Sequence, residues 1–571
     1  MAYCKLGGNM AEDIVVAELV EESDGLRILN GLLAITFAVG IAFLILASMI
    51  GEVLIDDGGL MAPELKSGDQ VEMTFGEPIY MPRHEECIDE NNGQDPDYIG
   101  FGVGYEPSLA IDSMGNMQIT AHKDLRWGGE DSPIPIFLDP DDPGPWYACQ
   151  EGQETSWDYW ASWFWISTDN GSTWGHGDGF DPTPGNQLMA NYAAGGSECL
   201  GDEGDIAVDA NDVVYYLDTT LEDNWWHRST EGGANYQMGS CQRMNTMAAD
   251  DRPWVAAQGD GIIHYLGNSG ASPPECSADT GRYWYYRSTN GGNTFSQCYS
   301  MPGGWSTISS QKHGPYVFVA QENADSDTGN VQVRISDDYG QGTGPGPSDG
   351  SWQAPVNIGP RDGNCPEGYP VVNNNEAGTV AVAWADCGEG ALGAWDIHFA
   401  ISYNNGSNWT EHWSIAPNWG ESGGILMYPF VSISESNIVS IAFYGLEYGA
   451  DGYSEGDEWY LYTGAVYEPG FGDMFEWNIA DPTPLHTVTA YEATEGDVHA
   501  LHDFFETVLS PEGDWMGIAY QQNVGEHPFE EYEEQRYIKF VRGEVISIVP
   551  EPVQEPISDE IKASPWIATD D

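Results

Sequence analysis

The chain has 571 residues, 41% of them hydrophobic and 12% aromatic, which is enough apolar material for a large core and excludes a disordered chain. Its 91 acidic residues face only 18 basic ones, and a net charge of −73 repels phosphate backbones and excludes a nucleic-acid partner. With 70 glycines, 34 prolines and few long helical patterns after residue 60, the composition reads as a turn-rich all-β fold.

Residues 1–27 read as a short cytosolic tail. Residues 28–51 carry no charged side chain and are long enough to cross a bilayer as one helix. Flanked by Arg27 on one side and Glu52, Asp56 and Asp57 on the other, they read as an uncleaved signal anchor, with cleavage near Ala47 as the alternative. The expected location is the cell membrane, single-pass, with the large C-terminal domain extracytoplasmic. Residues 52–66 form a linker, 67–549 the β-rich domain and 550–571 an acidic tail containing proline. Cys4 precedes the apolar run and eight cysteines follow it, an even set that suits disulfides in an oxidising compartment. Cys276 with Cys298, and Cys365 with Cys387, are each 22 residues apart and are candidate local bridges. No Cys/His cluster marks a metal site and no cofactor is expected, although Asp325 with Asp327, and Asp451 with Glu455 and Asp457, offer oxygens for surface calcium.

Two motifs repeat along residues 67–549. The first opens a strand pair: EPSLAID at 106–112 and EGDIAVD at 203–209 align without gaps, and looser copies are RPWVAA (252–257), GPYVFVA (314–320), YPVVNN (369–374), YPFVSIS (428–434) and FETVLS (505–510). The second reads Ser-x-Asp/Asn/Glu-x-Gly-x-Thr/Asn-aromatic, at 167–174, 229–236, 288–295 and 402–409, with a broken copy at 336–340 for which Trp352 is the displaced aromatic. Its third residue, Asp169, Glu231, Asn290 or Asn404, can accept backbone N–H groups inside a tight turn; the glycine supplies a positive φ, and the aromatic pins the turn. A strand, a turn, a strand, a long link, a strand, this hairpin and a last strand make one four-stranded propeller blade.

These turns resemble the Asp boxes of the sialidase-like (BNR-repeat) β-propeller superfamily, and the resemblance covers roughly residues 68–545. It implies an Asp-box β-propeller, preceded here by the transmembrane helix, and it implies that Asp169, Glu231, Asn290 and Asn404 are structural turn residues. The seven strand openings favour seven blades, with six as the alternative. Family sialidases carry an arginine in an R-I-P motif, which this chain lacks, Arg83 in MPRHEE being the nearest substitute. The expected function is therefore binding of a glycan, polymer or protein at the propeller's central mouth, in preference to catalysis. The alternatives are an exo-acting glycoside hydrolase of the sialidase-like kind and a structural component of a cell-envelope assembly. Partners are the membrane, through the N-terminal helix, and a glycan or cell-surface ligand.

In a propeller the innermost strands line the axis and their leading ends converge on one mouth. Reading the residues at the strand openings gives candidate catalytic groups Arg252, Tyr369, Glu367, Glu106, Glu203 and Asp251, and candidate binding groups Tyr428, His313 and Asp503. The arginine can grip a carboxylate or a pair of hydroxyls, the carboxyls can act as acid/base, and the tyrosines can stack on sugar or, with Glu367, form a nucleophile pair.

Overall fold

The computed structural model describes residues 66–81, 104–123, 163–176, 203–219, 224–230, 242–243, 250–269, 283–295, 299–301, 304, 306–322, 329–341, 352–361, 370–387, 395–416, 425–447, 456–487, 501, 504–523 and 536–549. All regular structure in them is β-strand, and among them no helix is long and apolar enough to cross a membrane. The anchor expected at 28–51, the tail at 550–571 and Cys276, Cys298 and Cys365 lie outside the described residues, and of Cys387 only the backbone is described.

Five four-stranded antiparallel sheets follow one another along the chain, at 104–176, 203–243, 250–301, 306–360 and 371–414, each with its strands in chain order. A ten-stranded sheet holds two further groups, one beginning with Leu426–Ile433 and the other with Glu506–Leu509. The N-terminal strand Gln70–Phe75 joins these two, pairing along Arg536–Val549 and meeting Glu458–Tyr467 at Gln70. The first strands pack in succession: Gly104–Ile111 on Glu203–Val208, then Asp250–Gln258, Ser306–Ser310, Val371–Asn374, Leu426–Ile433 and Glu506–Leu509, which returns to Gly104–Ile111. The result is a propeller-like ring of small sheets.

Local sequence explains the strand pairs. Second strands such as Ile438–Leu446 (IVSIAFYGL) are buried at every position, because neighbouring sheets cover both faces, so they show no polar alternation. Four of the first strands are followed by a polar residue that closes the next turn. Asp112 Oδ1 accepts the Asn116 N–H at 2.8 Å, Asp209 Oδ1 that of Val213 at 3.1 Å, Asn375 Oδ1 that of Thr379 at 2.9 Å, and Ser434 Oγ that of Ile438 at 3.0 Å. This bond is what the aligned final Asp of EPSLAID and EGDIAVD provides.

The hairpins after the third strands share a second set of bonds. The Gly171, Gly292 and Gly406 N–H groups donate to Ser167, Ser288 and Ser402 Oγ at 2.8, 3.0 and 3.0 Å. Asp169, Asn290 and Asn404 Oδ1 accept the N–H four residues on, at 2.8, 3.0 and 2.8 Å. In the broken copy Gly340 N–H donates to Ser336 Oγ at 2.9 Å, and Trp352 bridges to Ser336 as Phe295 bridges to Ser288. The glycines stand at φ +80, +81, +67 and +74° for Gly171, Gly292, Gly340 and Gly406, and each faces the preceding sheet: Phe540, Trp226, Tyr285 with His264, and Ile335. These turns therefore also set the spacing between sheets.

One strand opening expected from the sequence is corrected. GPYVFVA does not begin a sheet; Val317–Glu322 is the second strand of its sheet and pairs with Ser306–Ser310, which is the first. The true first strand, STISS, has no proline to mark it, whereas the second strand follows a Gly-Pro pair that imitates an opening.

Candidate functional site

Three of the first strands carry an X-Pro bulge near their leading ends: the ladder registers shift between Tyr105 and Ser108, between Asp251 and Trp254, and between Met427 and Phe430. Proline has no N–H to give the ladder, so Pro107, Pro253 and Pro429 each force an unpaired pair of residues. At two of the bulges the residue before the proline is swung into the left-handed region, Glu106 at φ 50° and Tyr428 at φ 52°, a conformation that costs a non-glycine residue free energy.

The bulge aims Glu106 at His122 on the neighbouring strand. The carboxylate lies 3.2 Å from His122 Nε2, and both side chains are less than a tenth exposed. Tyr105 stacks on the imidazole with ring centroids 4.4 Å apart. The Glu106 N–H donates to Gln521 Oε1 at 3.3 Å, and the Gln521 N–H donates to the Tyr444 hydroxyl at 3.5 Å. Tyr444 stacks on Phe505 at 4.4 Å and meets Tyr428 edge-on at 6.3 Å. Burial pushes the Tyr444 hydroxyl above its usual range, and the Glu106 charge adds to the rise. Glu106 and Tyr428, drawn from two separate sheets, thus join one cluster through Tyr444 and Gln521. A carboxylate and imidazole 3.2 Å apart can hold a proton between them, while Tyr428 and Tyr444, 4% and 0% exposed, are packed into the core and hold the cluster in place.

Behind this cluster lie Ser108, Asp205 and Glu506, at the same repeat position on three successive first strands. Glu506 Oε2 accepts the Leu109 N–H at 2.6 Å, and Asp205 Oδ2 accepts that of Val255, so each carboxyl ties its strand to the next. Burial raises both groups above the carboxylate range, and the charge of Asp205 raises Glu506 further. Trp254, in the first strand Asp250–Gln258, and Phe504, just before the first strand Glu506–Leu509, meet at 5.0 Å.

The other expected site residues fall as follows. Asp251 and Arg252 stand at the Pro253 bulge and Glu203 begins its strand, all at the leading ends, but only their backbone is described. Glu367, Tyr369, Asp503 and Glu231 lie outside the described residues. His313 is placed apart from Glu106 and Tyr428: it sits in the turn after Ser306–Ser310, at the opposite ends of the first strands, where its N–H donates to Glu376 Oε1 at 3.1 Å. Its expected position at the leading mouth is corrected by the same shift that makes GPYVFVA a second strand. At that far end Lys312 Nζ reaches the Ile111 carbonyl at 3.3 Å. Asp169, Asn290 and Asn404 are held within their turns by the bonds given above. His122, Tyr444 and Gln521 were not readable as site residues, because they stand on second strands with no motif. Asp205 and Glu506 carried a signal, since both align with Ser108 in the strand-opening repeat.

No family model and no curated relative matches the chain. Among solved structures it is similar to the polysaccharide lyase Uly1, at 8% identity and a TM-score of 0.39, covering 84% of this chain and 100% of that one. It is also similar to a Penicillium chrysogenum α-L-arabinanase complexed with arabinobiose, at 11% identity and a TM-score of 0.32, over 51% of this chain and 92% of that one. A third similarity is to the NanB sialidase from Streptococcus pneumoniae, at 12% identity and a TM-score of 0.31, over 80% of this chain and 70% of that one.

Proposed function

We propose that the chain is a seven-bladed, sialidase-like β-propeller, anchored in a membrane by residues 28–51 with residues 67–549 outside the cytoplasm, which binds a carbohydrate at the leading ends of its innermost strands. The observation that carries this reading is the pair of X-Pro bulges that hold Glu106 and Tyr428 at positive φ and bring them into one cluster. Strained backbone persists where the surrounding structure fixes it, and it concentrates at ligand sites. In this reading the Glu106 carboxylate accepts sugar hydroxyls, His122 fixes its orientation, and the buried Tyr428 and Tyr444 hold the two bulges in place. Seven blades correspond to the seven first strands that pack in succession around the ring.

A second reading, an exo-acting glycoside hydrolase, is favoured by the 3.2 Å contact between Glu106 and His122, which is a proton-transfer distance. Retention of the full-length protein on a panel of immobilised neutral and acidic polysaccharides tests the binding reading, with Glu106→Gln as the control. Retention of the wild type and its loss in Glu106→Gln is the expected result; equal retention of the two refutes it. New reducing ends in the eluates distinguish hydrolysis from binding.

A further inference from the structure

Two buried carboxyls with no counter-ion are neutralised by a proton or by a bound cation, and the first strands of this ring hold such a pair. Asp205 is 4% and Glu506 7% exposed, and no basic side chain among the described residues contributes to the charge balance of either. They flank Ser108, which is 1% exposed and stands at the matching position of the strand between them. The Ser108 hydroxyl is within reach of both carboxyls. It nevertheless completes no well-formed hydrogen bond to either of them, or to any other group among the described residues. A buried hydroxyl left without a partner costs free energy on the order of 1–3 kcal/mol, so this oxygen has a use that the protein's own groups do not supply.

We propose that Ser108, Asp205 and Glu506 form a divalent-cation site on the axis of the ring, taking a hard cation of the calcium or magnesium class. The donor set is entirely oxygen, which selects those ions over zinc or copper. The carboxyls are held in place beforehand: Leu109 N–H fixes Glu506 Oε2, while Ile206 and Val255 N–H fix Asp205 Oδ1 and Oδ2. Lone pairs on these oxygens remain for the ion. The hydroxyl oxygen of Ser108, turned away from both carboxyls as a donor, is free to coordinate through its lone pairs. Ser108, Asp205 and Glu506 are each less than a tenth exposed, so the site is closed to bulk water. A cation there links the first, second and last groups of the ring, so binding stabilises ring closure.

The test uses full-length protein, stripped with chelator and then titrated with calcium chloride or magnesium chloride. Added sodium chloride near 1 M reduces the Debye length to about 3 Å and suppresses diffuse binding to the acidic surface. Thermal unfolding of the wild type should rise by about 3 °C once the cation exceeds its dissociation constant a hundredfold. Glu506→Gln keeps an acceptor for Leu109 N–H, and Asp205→Asn keeps one for Val255 N–H; both should fold and lose the shift. Ser108→Ala should weaken cation affinity by about tenfold. The proposal is overturned if the wild type shows no shift, or if Glu506→Gln shifts as much as the wild type. In the first case a shared proton neutralises the pair; in the second the ions bind elsewhere.

Discussion

Gly292→Ala separates the two demands that the hairpin turns place on glycine. Gly292 has φ +81°, and a Cβ there would lie 1.6 Å from Trp226 Nε1 and 2.2 Å from its Cδ1. Trp226 cannot easily yield: it is 1% exposed, stacked on Tyr215 at 5.6 Å and met edge-on by Phe295 at 5.5 Å. Placing an L-residue in the left-handed region costs roughly 1–2 kcal/mol, and overpacking a rigid core costs roughly 1–3 kcal/mol more. The expected loss is thus about 2–5 kcal/mol. Gly472 provides the comparison. It has φ +87°, and a Cβ there would meet no atom within 4 Å, so Gly472→Ala should cost only the backbone part, about 1–2 kcal/mol. Guanidinium unfolding of both variants measures the difference, with unchanged m-values showing that only stability has moved. Equal losses in the two variants would refute the idea that these turns space the sheets through the missing Cβ.

Three further outcomes are expected. His264, bonded to Tyr285 and Gln258 at 2.7 Å each, is lowered to about 3 by burial and by Arg287. The unfolded chain therefore takes up a proton below about pH 6.5 that the folded chain refuses, and stability falls by about 1.4 kcal/mol per unit as pH drops from there towards 3. Melts of wild type and His264→Gln between pH 4.5 and 7 should converge on acidification; parallel curves would contradict the buried neutral imidazole. Asp481, fully buried, accepts from Lys539 Nζ and from the Tyr520 hydroxyl, the latter at 2.6 Å. Asp481→Ala should cost about 3–5 kcal/mol by stranding the ammonium, and adding Lys539→Met should recover part of the loss, whereas additive losses in chemical denaturation would argue against a coupled pair. Non-reduced peptide mapping should yield linked Cys276–Cys298 and Cys365–Cys387, and free thiols at these positions would remove the case for an oxidising compartment.

The fold was legible where a local bond fixes a local residue. Ser167, Asp169 and Gly171 satisfy one another's backbone within five positions, so their pattern survives in the sequence at each repeat. Asp112 and Asp209 close the first turn in the same way. The strand pair beginning at Ser306 was misread because its bulge-forming proline is missing and its second strand resembles a first. The site was half legible for a related reason. Glu106 and Tyr428 precede prolines that mark their bulges, but His122, Gln521 and Tyr444 reach the cluster only through strand pairing and sheet packing. Asp205 and Glu506 stand two or three residues past Glu203 and Asp503, the acids that the strand openings mark, and only the register of the first strands aligns both with Ser108.

The central claim is that Glu106 and Tyr428 serve one carbohydrate site, and a double-mutant cycle on ligand affinity tests it most directly. For the best oligosaccharide ligand, titration calorimetry should show Glu106→Gln and Tyr428→Phe each weakening binding by about tenfold or more, and the double variant by less than the product of the two. Singles that leave affinity unchanged, in protein that unfolds at the wild-type temperature, would contradict it.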